Sequence, residues 1–592
     1  MQIWVNYLDQ ILIYAALALS LNLLLGYAGQ VSVAHAAFGA IGGYTMGYMV
    51  TTHNTNLIIT MLLGMVFAFV VGGLIALVAI RLTTEYLILL TLAWGYVLIG
   101  VFSTIPALGG SFGIISINSE PHKLKFFGWT MDRPSDWLIP ILIMITITFL
   151  IVWRLGQSAY GRSLKGIRED PVATQASGKN TFVMLVAVFA ISCSLAALAG
   201  AFTAGWLGLA TPPVFGFNFS LTIFAIVIFG GMANFRGSIV AAFILTGLDP
   251  ILRRVIKLDQ EKAFLLQIIA YGVLLVVLMA LRPQGIIPEG RTFRSFFTRN
   301  KSEGRTEMTP TSDSVPTFVT QSSGGEADQA KRHQKWENAE IVLEARGISK
   351  SFGGIVAAED LDFVLKKGTI TALVGPNGAG KTTVFNLLTG AIPPDRGTVK
   401  LRGKDITGKN LDGSAREGLI RSFQDVRLFQ RLSCLDNVLF GVQDQAGEKI
   451  RNLFFGSPAK VRASDKEALE KAMQWLTFVG MQDFAHVPTA ALSYGQTKLI
   501  SLARVLATEA EVILLDEPAS GIDTKWVDSM LDLIHAISEQ GRTVCIVEHN
   551  LRVVTDLADH AYFMELGRIT AEGTVDELTS SPRLAQAYFG TV

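Results

Sequence analysis

Charge is missing from long stretches of the first half of this sequence. No Asp, Glu, Lys or Arg occurs between Ile11 and Ile80, between Thr181 and Phe235, or between Ala263 and Leu281. A charge at mid-bilayer is penalised by about 2.5–3.5 kcal/mol on insertion scales, so lipid selects such runs. Buried helices of soluble proteins rarely stay uncharged for that many turns, so a water-soluble core fails on length. Cysteine is scarce as well. Cys193, Cys434 and Cys545 form no CxxC and no metal spacing, so neither a disulfide framework nor a zinc site is expected. The amino terminus lacks a basic region and a small-residue cleavage site, and the first apolar stretch reads as a retained span. The net charge of +1 implies no acidic partner, and no nucleic acid is expected.

What is present divides the 592 residues into three. Residues 1–290 read as an all-α polytopic membrane domain of about 8–10 spans. Residues 291–338 are rich in Ser, Thr, Gly and charge with little apolar periodicity, and read as a flexible linker. Residues 339–592 return to alternating strand and helix patterns, an α/β domain. Nine candidate spans lie near 8–26, 31–50, 56–80, 86–104, 138–154, 181–205, 219–234, 237–250 and 262–281. Loop 154–180 carries Arg154, Arg162, Lys165, Arg168 and Lys179, which places it inside. An inside carboxyl end then requires region 219–250 to cross twice, or to dip and return, around Asn234-Phe235-Arg236-Gly237. Each arm is shorter than the ~20 residues a full helix needs, so broken or tilted helices are expected there. Nine crossings put the amino terminus outside. Gly26, Gly29, Gly39, Gly42 and Gly43 crowd one span, which fits either close helix packing or a helix break lining a path. His35 among them reads as a packing or hydrogen-bonding group.

Nucleotide chemistry is written in the second half. Gly375-Pro376-Asn377-Gly378-Ala379-Gly380-Lys381-Thr382, followed by Thr383, fits G-x-x-x-x-G-K-[ST] between an apolar strand, 370–374, and a helical pattern. Glycines let backbone N–H groups wrap phosphates at a helix start. Lys381 would pair with the β- and γ-phosphates, and the Thr382 hydroxyl would ligate Mg²⁺. A buried strand from Val512 ends in Asp516 and Glu517. Asp516 suits the magnesium shell, and Glu517 would polarise the attacking water as general base. His549 ends the next apolar strand and could contact the γ-phosphate.

Together these residues resemble the ATP-binding cassette superfamily, over about 250 residues. Leu492-Ser493-Tyr494-Gly495-Gln496 resembles its signature motif. The resemblance implies that Ser493, Gly495 and Gln496 clasp a γ-phosphate held by the P-loop of an opposite cassette. It also implies that Gln424 is the Q-loop residue linking Mg²⁺ to the membrane partner, Asp523 the D-loop residue, and Phe352 the aromatic that stacks on adenine. Tyr494 stands where the commonest signature has Gly, a variant similar to cassettes of branched-chain amino acid importers, and Lys498 replaces the usual Arg. The membrane half resembles a permease of that importer family, carried by Leu19–Gln30, Ala36–Tyr44, Gly109–Ile114 and Gly161–Asp170. The last stretch lies where such importers place a coupling helix.

The resemblance thus implies a permease fused to its cassette in a bacterial inner membrane, with the ATPase in the cytoplasm, importing branched-chain amino acids with ATP and Mg²⁺. Implied partners are a second permease, a second cassette, an external solute-binding protein and membrane lipid. The same architecture could serve urea, amides or another small polar solute. A homodimeric half-exporter and a non-transporting membrane ATPase are the rival readings.

Overall fold

The computed structural model describes residues 2–289, apart from positions 121, 127, 258 and 283, and residues 326–580. Two compact units emerge. One holds the described residues of Met1–Arg168 and Thr181–Thr306, and the other those of Glu169–Asn180 and Glu307–Val592.

The first unit is helical, as uncharged sequence in lipid demands: every backbone group must be satisfied within the segment. Among the described residues, six helices are long and apolar enough to cross a membrane: Gln2–Tyr27, Leu57–Ala79, Thr84–Thr104, Ser135–Gln157, Thr181–Leu207 and Phe235–Arg254. Helices His35–His53, Phe217–Gly230 and Gln260–Leu281 fill the remaining expected positions. Close packing and a helix break both occur among the glycines, at different places. A Cβ on Gly42 would lie 1.8 Å from the Ala197 carbonyl oxygen, so helices His35–His53 and Thr181–Leu207 meet backbone to backbone. Around Gly26 and Gly29 the chain breaks instead. The first helix loosens into a π turn at Leu23–Tyr27, and Gly29 takes φ +69°.

Single polar side chains repair the broken backbone. Buried Asn22 donates through Nδ2 to Gly231 O (3.3 Å), Asn234 O (3.2 Å) and Ser238 Oγ (2.7 Å), and its Oδ1 accepts from Ala233 N at 2.8 Å. His35 Nε2 meets Ser20 Oγ at 2.6 Å, the hydrogen-bonding role expected of it. Asn22 therefore pins the turn between Phe217–Gly230 and the helix from Phe235. The 14-residue Phe217–Gly230 arm spans only about 21 Å, less than a bilayer core, as expected. The other arm corrects the expectation. It runs on through Leu248–Pro250 and a π turn, Ile251–Val255, to 20 residues. Asp249, Pro250, Arg253 and Arg254 masked this continuation in the sequence.

The second unit is an α/β domain. Its six-stranded sheet runs Leu419–Arg421, Val512–Asp516, Thr543–Val547, Ile370–Val374, His560–Glu565, Arg568–Gly573, parallel except for the last strand. The central strands are continuous apolar runs because both faces are covered. Ile355–Lys366, Ile341–Phe352, Arg396–Leu401 and Lys404–Asp405 form an antiparallel sheet on one side. Helices such as Tyr494–Leu506 and Thr524–Glu539 cover the other.

Two segments join this unit from outside the expected 339–592. Of the stretch read as a linker, positions 291–325 lie outside the described residues, but Glu326–Asn338 is a helix. Its Trp336 ring stacks 3.7 Å from His560, and Arg332 donates to Asp556 O at 2.6 Å. Stacked rings and cations dock it, rather than an apolar stripe, so periodicity did not reveal it. The second segment is Glu169–Asn180. Its short helix, Pro171–Ala176, is capped by Asp170 and packs Ala173 against Phe429, Leu432 and Phe440. Arg427 pairs with Asp170 at 2.9 Å, Lys179 pairs with Glu448, and Arg416 donates to Gly178 O at 2.9 Å.

Candidate functional site

The site is built at the carboxyl ends of three adjacent parallel strands, where α/β sheets bind ligands. Strand Ile370–Val374 leads into the glycine loop, which ends at helix Lys381–Leu388. Glycine is required at Gly380, which takes φ +104° and where a Cβ would lie 2.2 Å from Ala357 O. Asn377 and Gly378 are exposed at the loop tip, Ala379 is buried beneath it, and Gly375 closes against Met564. Thr382 is exposed and Thr383 half-buried on the first helical turn. Lys381 is buried, with Nζ donating to Gly375 O at 2.6 Å and Pro376 O at 2.9 Å. Burial holds its pKa below the ordinary lysine range, while Glu517 and Asp516 pull it back up. The ammonium is thus held ready for a more negative partner.

Strand Val512–Asp516 delivers the carboxylates. Asp516 is buried, and its pKa is pushed up to about 6, mainly by that burial and against the pull of Arg421. Arg421 Nη2 lies 3.5 Å from Asp516 Oδ2, yet neither carboxylate oxygen accepts a hydrogen bond. A buried carboxylate with two open oxygens, within electrostatic reach of the P-loop Lys381, fits Mg²⁺, which takes one or two carboxylates plus substrate phosphates. Among the described residues no group of three His, Cys, Asp or Glu forms a separate metal cage.

Glu517 sits at φ +49°, a conformation that strains a side-chain-bearing residue by about 1–3 kcal/mol. Two bonds hold it there. Its N–H donates to Val547 O at 2.9 Å, and its carbonyl accepts from Lys498 Nζ at 2.7 Å. The side chain then reaches Gln424, whose Nε2 donates to Oε2 at 3.1 Å, and His549, whose Nδ1 lies 3.9 Å from Oε1. Glu517, Gln424 and His549 therefore form one cluster, with Lys381 and Asp516 within its electrostatic reach.

The remaining expected residues lie apart from this cluster. Ser493 caps helix Tyr494–Leu506 in a capping box with Gln496, the N–H of each bonding the other's side chain. Gly495 packs so closely that a Cβ would lie 3.1 Å from Trp526. Tyr494 reaches the D-loop at Gly521, next to exposed Asp523 at the start of Thr524–Glu539. Phe352 is 44% exposed before the Gly353-Gly354 turn, with its ring free of a packed core. Sequence reasoning passed over Glu548. It is buried and accepts from Ala519 N at 2.9 Å. Its position at the end of an apolar strand beside His549 was the available signal. It also passed over Ser422, whose hydroxyl accepts from Asp516 N at 3.0 Å.

Residues 3–280 match the family described as the permease component of the branched-chain amino acid transport system, and residues 358–520 match the ABC transporter family. Over 250 residues the chain is 35% identical to the high-affinity branched-chain amino acid transport ATP-binding protein BraF of Pseudomonas aeruginosa, covering 42% of this chain and 98% of that one. The chain belongs to the branched-chain amino acid transport family of ABC transporters. It is also 34% identical to LivG of Salmonella typhimurium and 33% to LivG of Escherichia coli K12, each over 98% of the relative and 42% of this chain. A solved nucleotide-free ATP-binding cassette from an ABC transporter aligns with 43% of this chain and all of that chain, at 31% identity and TM-score 0.38. This family member joins a permease and a cassette in one chain. It is an ATPase and a multi-pass inner-membrane protein whose cassette works on cytoplasmic ATP.

Proposed function

We propose that this chain imports branched-chain amino acids, using ATP, as the fused permease and ATPase subunit of an importer. The observation that carries the reading is that one chain holds a permease region of this family over residues 3–280 and a cassette with Glu517 set between Gln424 and His549. A second permease, a second cassette and an external solute-binding protein complete the assembly in this reading.

The chemistry follows from the geometry. Lys381 and the loop amides hold the β- and γ-phosphates, and Phe352 stacks on the adenine. Thr382, Gln424 and Asp516 would hold Mg²⁺, which would supply positive charge against the phosphates when bound. Glu517 accepts a proton from the attacking water as its oxygen bonds the γ-phosphorus and the bond to the β-phosphate oxygen breaks. His549 steadies the γ-phosphate. Ser493, Gly495 and Gln496 point the reading to a second cassette, because they sit on a helix start apart from their own P-loop cluster and close the opposite nucleotide. Asp523 lies on the same sandwich face. Closure is passed on through Gln424 and the 169–180 segment.

The deciding experiment is uptake of radiolabelled leucine, with urea and other amino acids as competitors, in cells with and without this chain. Loss of uptake on deletion, restored by wild type and not by Lys381→Ala, supports the reading. Unchanged leucine uptake with loss of urea uptake sinks the substrate assignment and leaves the architecture.

A further inference from the structure

A cavity of about 430 Å³ opens among four helices of the first unit, within the size range of small-molecule sites. Gln10 and Tyr14 reach it from Gln2–Asn22, and Asn218 and Thr222 from Phe217–Gly230. Asp249 and Arg253 reach it from the Phe235–Arg254 span, and Gln267 and Tyr271 from Gln260–Leu281. Each pair is spaced i, i+4, which stacks both side chains on one helix face. Four apolar spans thus turn a polar pair toward the same space. Polar and ionisable side chains are expensive in a span, and are kept where they face a partner or a path.

The pair at the centre is charged. Asp249 is only 8% exposed, and its Oδ1 lies 2.7 Å from Arg253 Nε, yet neither atom makes an aligned hydrogen bond. Tyr271 does not compete for them, because its hydroxyl donates to Leu245 O at 2.8 Å and accepts from Gln267 at 2.5 Å. Leu221, Phe224 and Ala225 give the same cavity an apolar wall. One carboxylate, one guanidinium and a hydrocarbon surface are the complement of an aliphatic amino acid zwitterion. The ammonium matches Asp249, the carboxylate matches the planar fork of Arg253, and the side chain matches the wall.

We propose that this cavity is a binding site for the amino acid zwitterion within the permease, where the Asp249–Arg253 ion pair opens and is exchanged for the two charges of the substrate. The proposal rests on the import reading above. Between passages the two side chains neutralise each other, so no bare charge is left in the span. A neutral solute offers no such exchange.

The test is initial uptake of radiolabelled leucine in deletion cells carrying full-length variants at matched membrane levels. Asp249→Asn and Arg253→Gln are expected to lower uptake at least ten-fold. The double variant D249R/R253D keeps attraction across the same helical turn. It is expected to restore the melting temperature of the purified chain, relative to the single variants, but not uptake. A mere staple within one helical span would be repaired by that swap. Wild-type uptake by the swap, or by Asp249→Asn, overturns the proposal. Should the wild-type chain move no leucine, the import reading has failed on its substrate, and the same variants are read with the solute it does move. Loss of uptake of another zwitterion upholds the cavity, and unchanged uptake of a neutral solute overturns it.

Discussion

Asn22 in the helical unit and Asp516 in the cassette are both buried polar groups, and they are used in opposite ways. At the broken first helix such a group is spent on repair: Asn22 uses both ends of its amide to close the turn at Gly231–Asn234, and Ser20 Oγ meets His35 Nε2 nearby. In the cassette such a group at a strand end is left short of partners. Asp516 has two open carboxylate oxygens, and Glu517 is held in a strained backbone conformation. Lipid makes an unmet backbone hydrogen bond costly, whereas a site that must grip phosphate and metal needs open acceptors in reserve. In these two places the open carboxylate of Asp516 belongs to the nucleotide site, and the fully bonded amide of Asn22 belongs to the architecture.

The sharpest way to break this contrast is Glu517→Gln. It keeps the shape and removes the base, so turnover is expected to fall about 10²–10⁴-fold while nucleotide binding persists. Phosphate release and equilibrium ATP binding measured side by side decide it, and undiminished steady-state hydrolysis would sink the assignment. Next in size is Gly42→Leu. With a Cβ already 1.8 Å from Ala197 O, the helix pair cannot close, and the chain is expected to vanish from the membrane fraction on an immunoblot.

Asp516→Asn tests the cassette side from the stability direction. A carboxyl whose pKa rises from 3.8 to about 6 on folding keeps its proton longer in the native state. Its stabilising contribution is full below the unfolded value and is lost as pH rises through about 6. Above that pH the charged, buried form weighs against folding by about 3 kcal/mol, on the order of 1.4 per unit. Melting followed from pH 4 to 7 should show the wild type losing ground to the Asn variant. Parallel curves would reject the idea that Asp516 is held in reserve. The smallest effect belongs to Asn22→Ala. Its four partners lose their mate and stability is expected to drop by about 1–3 kcal/mol, with no change in the Km for ATP. Thermal unfolding of the purified chain, beside ATPase titrations, separates the two readouts.

How much was legible follows the same division. The P-loop, Asp516-Glu517 and His549 are contiguous or end apolar strands, so local pattern and spacing reveal them. Glu548 is equally local but carries no motif of its own. The helical unit hides more. The span from Phe235 ran past position 250 because Asp249 and Arg253 look like the end of a membrane helix when read singly. Only the fold shows them facing Gln10, Tyr14 and Tyr271 across one cavity. The helix Glu326–Asn338 was hidden because stacked rings and cations do the docking. Asn22 is a single polar letter in an apolar run, and nothing nearby names its partners more than two hundred positions on.

The short helix Pro171–Ala176 has a consequence in time. Its neighbours Phe429, Leu432 and Phe440 come late in the chain, whereas it leaves the ribosome early. At about 5–20 residues per second, the segment waits on the order of ten seconds or more for the surface that receives it. A chain that stops before Phe440 never gives it a home, so its docking reports that translation has run through to the cassette.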